Sequence, residues 1–286
     1  MSMKRIRFTA SGTALAFALT VGLAPAAHAA IPTPPKPSRV LPVALDARGY
    51  SPQVSCDPRA KPGVTAFAAL MTARYKTGAK GTYRPCQGST SEHYESRALD
   101  WMLSVNNPTQ KAIANSVTTW LSANKGAMAR RFGIQYIIWN RRIWGVWDPA
   151  GRWKAYTGSV PHTDHVHFSF SWDGAMKRTS WWTGRATRVA DVGPCRVYGG
   201  QFAPLYRGIR TTACPTKLLG APGSIYRVAV YGQSSTQIKV AQRLLHVAIT
   251  GQFGSATFTK VVAWQKGRVP ITGVLDKATW RRLTGK

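Results

Sequence analysis

Histidine and acidic residues are scarce in this chain of 286 residues, and most of its histidines are concentrated in two short stretches. Four of the six histidines and four of the ten acidic residues lie within residues 91–100 and 162–167. Such a concentration is typical of a metal site or an acid–base site. The chain must therefore fold so that two stretches that are far apart in sequence meet.

The first stretch, SEHYESRALD (91–100), places His93 and Asp100 seven positions apart. On one ideal helix the two side chains would be separated by two turns, about 10 Å. That separation is too large for a shared ion, because metal ligands lie about 2.0–2.2 Å from zinc. We therefore expect a loop that folds back between His93 and Asp100, and a strand in ALDWML (98–103).

The second stretch leads into HVHFSF (165–170), which predicts a strand with a clean alternation of side chains. The predicted apolar face consists of Val166, Phe168 and Phe170, and the polar face of His165, His167 and Ser169. Two histidines and one carboxylate would leave a fourth tetrahedral position open for water, as in catalytic zinc sites. For His93 or His167 taken alone, the alternative is a hydrogen-bonded histidine of the core.

Both stretches resemble motifs of the zinc D-alanyl-D-alanine peptidases, which belong to the lysostaphin, D-Ala-D-Ala peptidase and hedgehog superfamily. Residues 91–100 are similar to S-x-H-x-x-G-x-A-x-D, with Ser96 where the motif has glycine. Asp164 and His167 match D/E-x-x-H, and His165 with His167 matches the H-x-H motif. The resemblance covers about residues 50–172. Because glycine is the residue that adopts positive φ without strain, we expect a strained backbone at Ser96.

This resemblance implies a zinc-dependent hydrolase of the stem peptides of peptidoglycan. The implied zinc ligands are His93, Asp100 and His167. It also implies that Asp164 is the general base and that His165 is a second acid–base or transition-state contact. Arg84, in GTYRPC, is similar to the family arginine that holds the substrate or the developing oxyanion.

The N-terminal segment, residues 1–29, predicts a secretory signal. It has a basic start at Lys4, Arg5 and Arg7, the apolar run ALAFALTVGLA, and a small-x-small cleavage pattern at residues 27–29. The apolar run is too short to span a membrane comfortably. We expect a mature chain that begins near Ala30, carries no transmembrane anchor, and is secreted, either extracellular or held at the cell wall.

Four cysteines form an even set, and an exported chain meets an oxidising compartment. Three pairings are possible, and the pairing that is local in sequence closes the smallest loops. We therefore expect two disulfide bonds, Cys56–Cys86 and Cys195–Cys214.

Charge is the most unusual property of the composition. Without the three basic residues of the signal, 36 Lys and Arg remain against 10 acidic residues, a net charge of +26. Such a field favours polyanions: nucleic acid, anionic lipid or the anionic polymers of a bacterial wall. Because an exported protein meets a wall first, the expected partners are peptidoglycan and anionic wall polymers. No motif indicates specific nucleic-acid binding, and we expect a monomer.

The order of predicted elements indicates an α+β fold with a mostly antiparallel sheet. Helical periodicity covers residues 63–76 and 109–132, the second helix being broken near Gly126. Predicted strands cover residues 134–139 and 142–147 as well as HVHFSF. The predicted organisation is a proline-rich spacer (30–45), a zinc D-Ala-D-Ala peptidase-like domain (46–183), a disulfide-clipped linker (184–225) and a C-terminal domain (226–286).

The C-terminal domain contains an internal repeat, because ITGQFGSATF (249–258) returns as ITGVLDKATW (271–280). The pattern predicts three short helices, roughly 235–247, 255–267 and 276–284, with helix-ending Thr-Gly pairs and caps at Ser255 and Asp276. This all-α segment resembles the peptidoglycan-binding three-helix domain of bacterial wall enzymes. The alternative is a generic helical bundle.

The stretch WNRRIWGVWDPAGRWKAY (139–156) mixes aromatic and basic residues. It predicts either cross-strand aromatic packing, which we favour, or a surface that stacks on glycan or nucleic acid.

Three functions are compatible with these patterns. The first is an exported zinc peptidase, of the D,D-carboxypeptidase or endopeptidase type, anchored to the wall by its C-terminal domain. The second is a non-catalytic wall-binding protein with a degenerate peptidase fold. The third is a secreted nucleic-acid-binding protein.

Overall fold

The computed structural model describes residues 30–78, 80–86, 90–197, 199–218 and 227–286. The predicted secretory signal, residues 1–29, lies outside the described residues. Residues 30–45, predicted to be an extended spacer, form neither helix nor strand. Residues 31–286 belong to one compact unit.

Helices and strands follow one another without regular alternation, which confirms the α+β prediction. The helices are α1 (Pro62–Tyr75), a 3-10 helix (Glu92–Glu95), α2 (Pro108–Phe132), α3 (Trp172–Ala175), α4 (Ser180–Thr183), α5 (Thr236–Leu244), α6 (Ser255–Gln265) and α7 (Lys277–Thr284). The strands are β1 (Lys80–Gly81), β2 (Ala98–Trp101), β3 (Ile134–Trp139), β4 (Arg142–Gly145), β5 (Lys154–Ala155) and β6 (Val166–Phe170). Within the described part of the chain, no helix combines the length and the apolar character that crossing a bilayer requires.

The strands form one six-stranded antiparallel sheet in the order β1-β2-β6-β3-β4-β5. β6 lies in the interior of this sheet, between β2 and β3. The register of β2 and β6 places Asp100 opposite His167. The two stretches that the sequence analysis expected to meet therefore meet as neighbouring strands.

The core lies between one face of the sheet and the helices α1 and α2. Phe168 and Phe170 of β6 pack edge-to-face on Phe67 of α1, at ring distances of 5.1 and 5.5 Å. Phe132 at the end of α2 packs on the same ring at 5.0 Å. All four rings are fully buried, and each contributes about 1.5–3 kcal/mol of transfer free energy. The predicted apolar face of β6 is confirmed, so His167 projects from the opposite face.

The predicted break in α2 is also confirmed. The backbone leaves the helical conformation between Ala123 and Gly126. Gly126 has a φ of +78°, and a Cβ at this position would lie 2.1 Å from the indole ring of Trp144. Only glycine satisfies both conditions, so the break allows α2 to pack closely on β4.

Both predicted disulfide bonds are present. Cys56 is bonded to Cys86, and Cys195 to Cys214. The described residues contain no free cysteine. The first bond joins the segment before α1 to the segment that follows β1, and the second closes a loop in the stretch between α4 and α5.

The three predicted C-terminal helices are observed as α5, α6 and α7. Asp276 caps α7 as expected, since its side chain accepts a hydrogen bond from the amide of Thr279. The prediction of a cap at Ser255 is wrong: Gly254 is the N-cap and Ser255 is the first helical residue. The Thr-Gly pairs do not end helices either, because α5 and α6 end at Leu244 and Gln265, several residues earlier.

Two buried glutamines explain why the Thr-Gly pairs repeat. Gln265 Oε1 accepts hydrogen bonds from the amides of Thr272 and Gly273, and Gln265 Nε2 donates to Thr279 Oγ1. Gln242 makes the equivalent bond with the amide of Gly251. Each glutamine therefore holds the loop after its own helix, and a buried amide with all its partners satisfied specifies one loop conformation.

The three-helix segment packs against the sheet-containing part of the same compact unit. Val230 and Val274 form a buried cluster with Tyr94 and with the disulfide-bonded Cys56 and Cys86. The ring of Tyr231 lies 5.5 Å from that of Tyr83. The predicted linker takes part as well, because Leu205 is buried in the core of the three-helix segment. The C-terminal segment thus packs next to the loop that carries Arg84.

Candidate metal centre

Three side chains converge on one point at the polar face of the sheet. His93 Nε2 lies 3.1 Å from Asp100 Oδ1 and 3.3 Å from His167 Nδ1, and Asp100 Oδ1 lies 3.0 Å from His167 Nδ1. All three residues are buried. The structure therefore brings together the three residues that the sequence analysis selected as ligands.

A tight turn places His93 against Asp100. The 3-10 helix Glu92–Glu95 is followed by Ser96, which has a φ of +54°, and β2 begins two residues later. The expected fold-back between His93 and Asp100 and the positive φ at Ser96 are both confirmed. The Ser96 hydroxyl donates to the carbonyl of Asp57, at 3.3 Å, and this bond helps to hold a non-glycine residue in the left-handed region.

Hydrogen bonds fix which nitrogen of His93 faces the centre. His93 Nδ1 lies 2.8 Å from the carbonyl oxygen of Thr82. A carbonyl oxygen only accepts, so Nδ1 carries the proton, and the Nε2 of the neutral ring presents a lone pair. That lone pair faces Asp100 Oδ1 and His167 Nδ1. Each of these three atoms can accept a hydrogen bond, and at most one proton, that of His167, is available to the group.

The protonation states of Asp100 and His167 favour the binding of a cation. Burial opposes the charge on Asp100, but the adjacent imidazoles of His167 and His93 outweigh burial and hold the pKa of Asp100 well below its usual range. Burial lowers the pKa of His167 to about 4. Near neutral pH, Asp100 is therefore ionised and His167 is neutral, which are the forms that bind metal.

The spacing of the donor atoms fits zinc. Ligand atoms about 2.0–2.2 Å from one ion at tetrahedral angles lie roughly 3.3–3.6 Å from one another, and the observed separations of 3.0–3.3 Å are at or slightly below that range. Two imidazole nitrogens and one carboxylate oxygen form the donor set of several catalytic zinc sites. The residues present therefore fit the ion that the sequence motifs imply.

Arg84 reaches the same centre from the segment after β1. Its Nη2 atom donates to Asp100 Oδ2, the carboxylate oxygen that does not face the histidines. Its backbone amide donates to the carbonyl of His93, and Cys86 two residues later is disulfide-bonded. The Arg84 side chain is 55% exposed, so a positive charge lies at the rim of the centre, accessible to a ligand.

Asp164 and His165 form a pair beside the centre. His165 Nδ1 lies 2.8 Å from Asp164 Oδ1, and His165 Nε2 lies 3.5 Å from Asp100 Oδ1. Burial opposes the charge on Asp164, but the hydrogen bond from His165 lowers the pKa of Asp164 below its usual value. Asp164 occupies a bend before β6 and its side chain is 70% exposed. Of the two, His165 is the residue that faces the ligand cluster.

Three further residues line the centre, and the sequence motifs assign no role to them: Tyr136, Glu92 and His162. The ring of Tyr136 stacks on that of His167 at 5.4 Å, and its hydroxyl donates to Glu92 Oε2. The ring of His162 lies 4.7 Å from that of His165. Burial and the charge of Glu92 raise the pKa of Tyr136 well above its usual value, which keeps the phenol protonated as a donor.

A bulge in β3 explains why Tyr136 was missed. The register with β6 shifts between Ile134 and Tyr136, so both neighbours contact the polar face: Gln135 bonds Ser169 and Tyr136 stacks on His167. Strict alternation would have assigned these two neighbours to opposite faces. The sequence signal that was available is the position of Glu92 next to His93, because Glu92 is the hydrogen-bond partner of Tyr136.

Glu95, the other acidic residue of the first stretch, is not part of the centre. It is fully buried and pairs with Arg97, and it accepts hydrogen bonds from the amide and the hydroxyl of Ser55. Its role is to fix the segment before α1 against the turn that carries His93.

Comparison with models of protein families gives a match over part of the chain. A family model described as "VldE, C-terminal domain" matches residues 56–167. The chain is therefore similar to that family over a region that begins at Cys56 and ends at His167, and that contains all the residues of the centre described above. No curated protein and no solved structure matches the chain.

Proposed function

We propose that this protein is a secreted zinc-dependent hydrolase that cleaves stem peptides of peptidoglycan and is held at the cell wall by its C-terminal segment. The observation that carries the proposal is the convergence of His93, Asp100 and His167, whose donor atoms lie 3.0–3.3 Å apart. The sequence motifs of the zinc D-alanyl-D-alanine peptidases, in the same residues, support the choice of reaction and substrate.

Each residue of the centre has a chemical role in this proposal. His93, Asp100 and His167 would hold zinc, which when bound supplies Lewis acidity to the scissile carbonyl and to the attacking water. The pair of Asp164 and His165 accepts the proton of that water and returns it to the leaving amine. Asp164 is the predicted base, and the orientation of His165 Nε2 towards the cluster makes His165 the group through which the proton passes.

Arg84 acts as the electrostatic clamp. Its guanidinium is bonded to Asp100 on one side and exposed on the other. A carboxylate of the substrate, or the oxyanion that develops on the attacked carbonyl, can accept from the remaining N–H groups.

The C-terminal segment supports the wall-bound location. Between residues 226 and 286 it has ten Lys and Arg and one acidic residue, Asp276. Asp276 is buried, and of the ten basic residues only Lys277 is not exposed. The surface of this segment is therefore uniformly positive and suited to anionic wall polymers.

The proposal is tested with purified sacculi and the full-length mature protein loaded with one equivalent of zinc. We expect soluble fragments whose masses correspond to cleaved stem peptides, and loss of this activity after chelation. The matched control is His167→Ala, which lacks one ligand. Sacculus binding without cleavage would select the non-catalytic wall-binding protein instead, and salt-dependent DNA binding without preference for sacculi would select the nucleic-acid-binding protein.

A further inference from the structure

A series of aromatic rings extends from the centre to the surface. Tyr136 stacks on His167 at 5.4 Å, Trp147 lies 5.8 Å from Tyr136, and Tyr50 lies 5.2 Å from Trp147. We refer to Tyr50, Tyr136 and Trp147 as the aromatic shelf. It joins the ligand cluster to solvent without interruption.

Trp147 differs from every other tryptophan of the chain. All eleven lie within the described residues, and Trp147 alone is exposed, at 46%. Trp139 and Trp144 of the same aromatic stretch are buried in the core, where Trp139 bonds Asn115 of α2 and Trp144 lies against Gly126. Their cross-strand partners are Arg142 and Ile137, which are not aromatic. Tyr50 is 52% exposed. Two neighbouring aromatic side chains are thus held in contact with each other and with water.

The exposed indole is held in place by the strand beneath it. A Cβ at Gly145 would lie 2.4 Å from the Trp147 ring. The indole therefore lies directly over the backbone of β4, and any residue larger than glycine at position 145 would displace it. A ring that rests on the backbone and contacts the rings of Tyr136 and Tyr50 has little freedom to reorganise when a ligand binds.

The exposed aromatic surface limits the class of ligand. An exposed aromatic face binds a flat apolar surface, which is offered by the C–H face of a pyranose ring or by a nucleobase. Both classes fit a surface of this kind, and the distance from the shelf to the ligand cluster decides between them.

The reach of the shelf suits a sugar that carries a peptide. The two ring distances from His167 through Tyr136 place Trp147 within about 11 Å of His167. An extended peptide of three residues spans about 10–11 Å. A sugar on Trp147 would thus place its attached peptide across the ligand cluster.

We propose that Tyr50 and Trp147 form a subsite for a pyranose ring of the glycan strand, so that the enzyme prefers stem peptides that are still attached to sugar. This inference rests on the proposed function and deepens it, since it defines the substrate as a glycopeptide rather than a free peptide.

The test compares two substrates, a disaccharide-linked stem peptide and the same peptide without sugar. Wild-type protein cleaves the first with the higher kcat/KM. Trp147→Ala lowers kcat/KM about 5- to 10-fold on the glycopeptide and less than 2-fold on the free peptide. The larger loss corresponds to the usual contribution of one aromatic stacking contact. Trp147→Phe retains most of the preference, and Val189→Ala, which truncates a more exposed apolar side chain elsewhere, changes neither value.

A binding experiment separates this inference from the hydrolase itself. The metal-free protein is titrated with the N-acetylglucosamine–N-acetylmuramic acid disaccharide by calorimetry, with Tyr50→Ala as a second variant in case Trp147→Ala does not fold. Binding that depends on Trp147 or Tyr50, without cleavage of either substrate by zinc-loaded protein, would support the subsite and refute the hydrolase. Equal losses on both substrates, or disaccharide binding unchanged in both variants, would overturn the subsite.

Discussion

Asp100 and His167 are paired residues of adjacent antiparallel strands, and Asp100 Oδ1 lies 3.0 Å from His167 Nδ1. Side chains of such a pair project from the same face of a sheet with Cβ atoms about 4.5–5.5 Å apart. The sheet itself therefore fixes two of the three candidate ligands, and only His93 depends on a turn. A site built on paired strands is preorganised before any metal binds.

The ligand assignment predicts the effect of removing one imidazole. His167→Ala should lose both zinc and hydrolytic activity, because two remaining ligands bind the ion too weakly to retain it through dialysis. Metal content per chain is measured by mass spectrometry after dialysis. The control is His246→Asn, since His246 is exposed in the C-terminal segment and asparagine tolerates its φ of +52°. One equivalent of zinc retained by His167→Ala would remove His167 from the ligand set.

The acid–base pair predicts a different pattern. Asp164→Asn should keep zinc and lose about 10²–10⁴-fold in rate, the usual contribution of a positioned base. His165→Ala should also keep zinc, with a smaller or comparable loss. Single-turnover cleavage of a muropeptide and metal content are measured for both variants. If Asp164→Asn cleaved at the wild-type rate, Asp164 would have no part in the mechanism.

The sequence was sufficient to predict those parts of the site that depend on local periodicity. The alternation in residues 165–170 assigned His167 to the polar face, and the spacing of His93 and Asp100 required the turn that Ser96 makes. The bulge that brings Tyr136 onto His167 could not be predicted, because it depends on a register shift between two strands. The exposure of Asp164 could not be predicted either, since it is set by the bend before β6.

The C-terminal repeat shows the same limit. Periodicity predicts the three helices correctly, but the prediction that the Thr-Gly pairs end helices is wrong. Their amides bond to Gln242 and Gln265 inside the bundle, and a bond from a side chain to the loop that follows its helix leaves no helical periodicity in the sequence.

The buried glutamine predicts a large stability effect at one position. Gln265→Ala should lower the free energy of unfolding by about 2–4 kcal/mol, because the amides of Thr272 and Gly273 lose their acceptor inside the protein. Gln252→Ala is the control, since Gln252 is exposed and its change should be within about 0.5 kcal/mol. Urea denaturation of both variants provides the comparison, and equal midpoints would show that the Gln265 bonds contribute nothing net.

The two disulfide bonds should differ in their effect on the centre. Replacing Cys56 and Cys86 with serine should cost about 2–4 kcal/mol of stability and also raise KM, because Cys86 follows Arg84 by two residues and restrains its loop. Replacing Cys195 and Cys214 should cost stability without changing KM, since that bond lies in the stretch between α4 and α5. Thermal unfolding and kinetics of both double variants are measured. An unchanged KM in the first variant would show that the disulfide does not position Arg84.

The positive surface of the C-terminal segment predicts salt-dependent binding to sacculi. Arg281→Glu with Arg282→Glu reverses two exposed charges in the last turn of α7, and should weaken sedimentation of the full chain with sacculi at low salt. Lys36→Glu with Arg39→Glu is the matched control, because it makes the same change in net charge in the exposed spacer. Raising the salt concentration should reduce wild-type binding, since charges exposed to solvent are screened within about 8–10 Å near physiological ionic strength. Equal losses in the two double variants would indicate that net charge, and not the C-terminal surface, holds the protein at the wall.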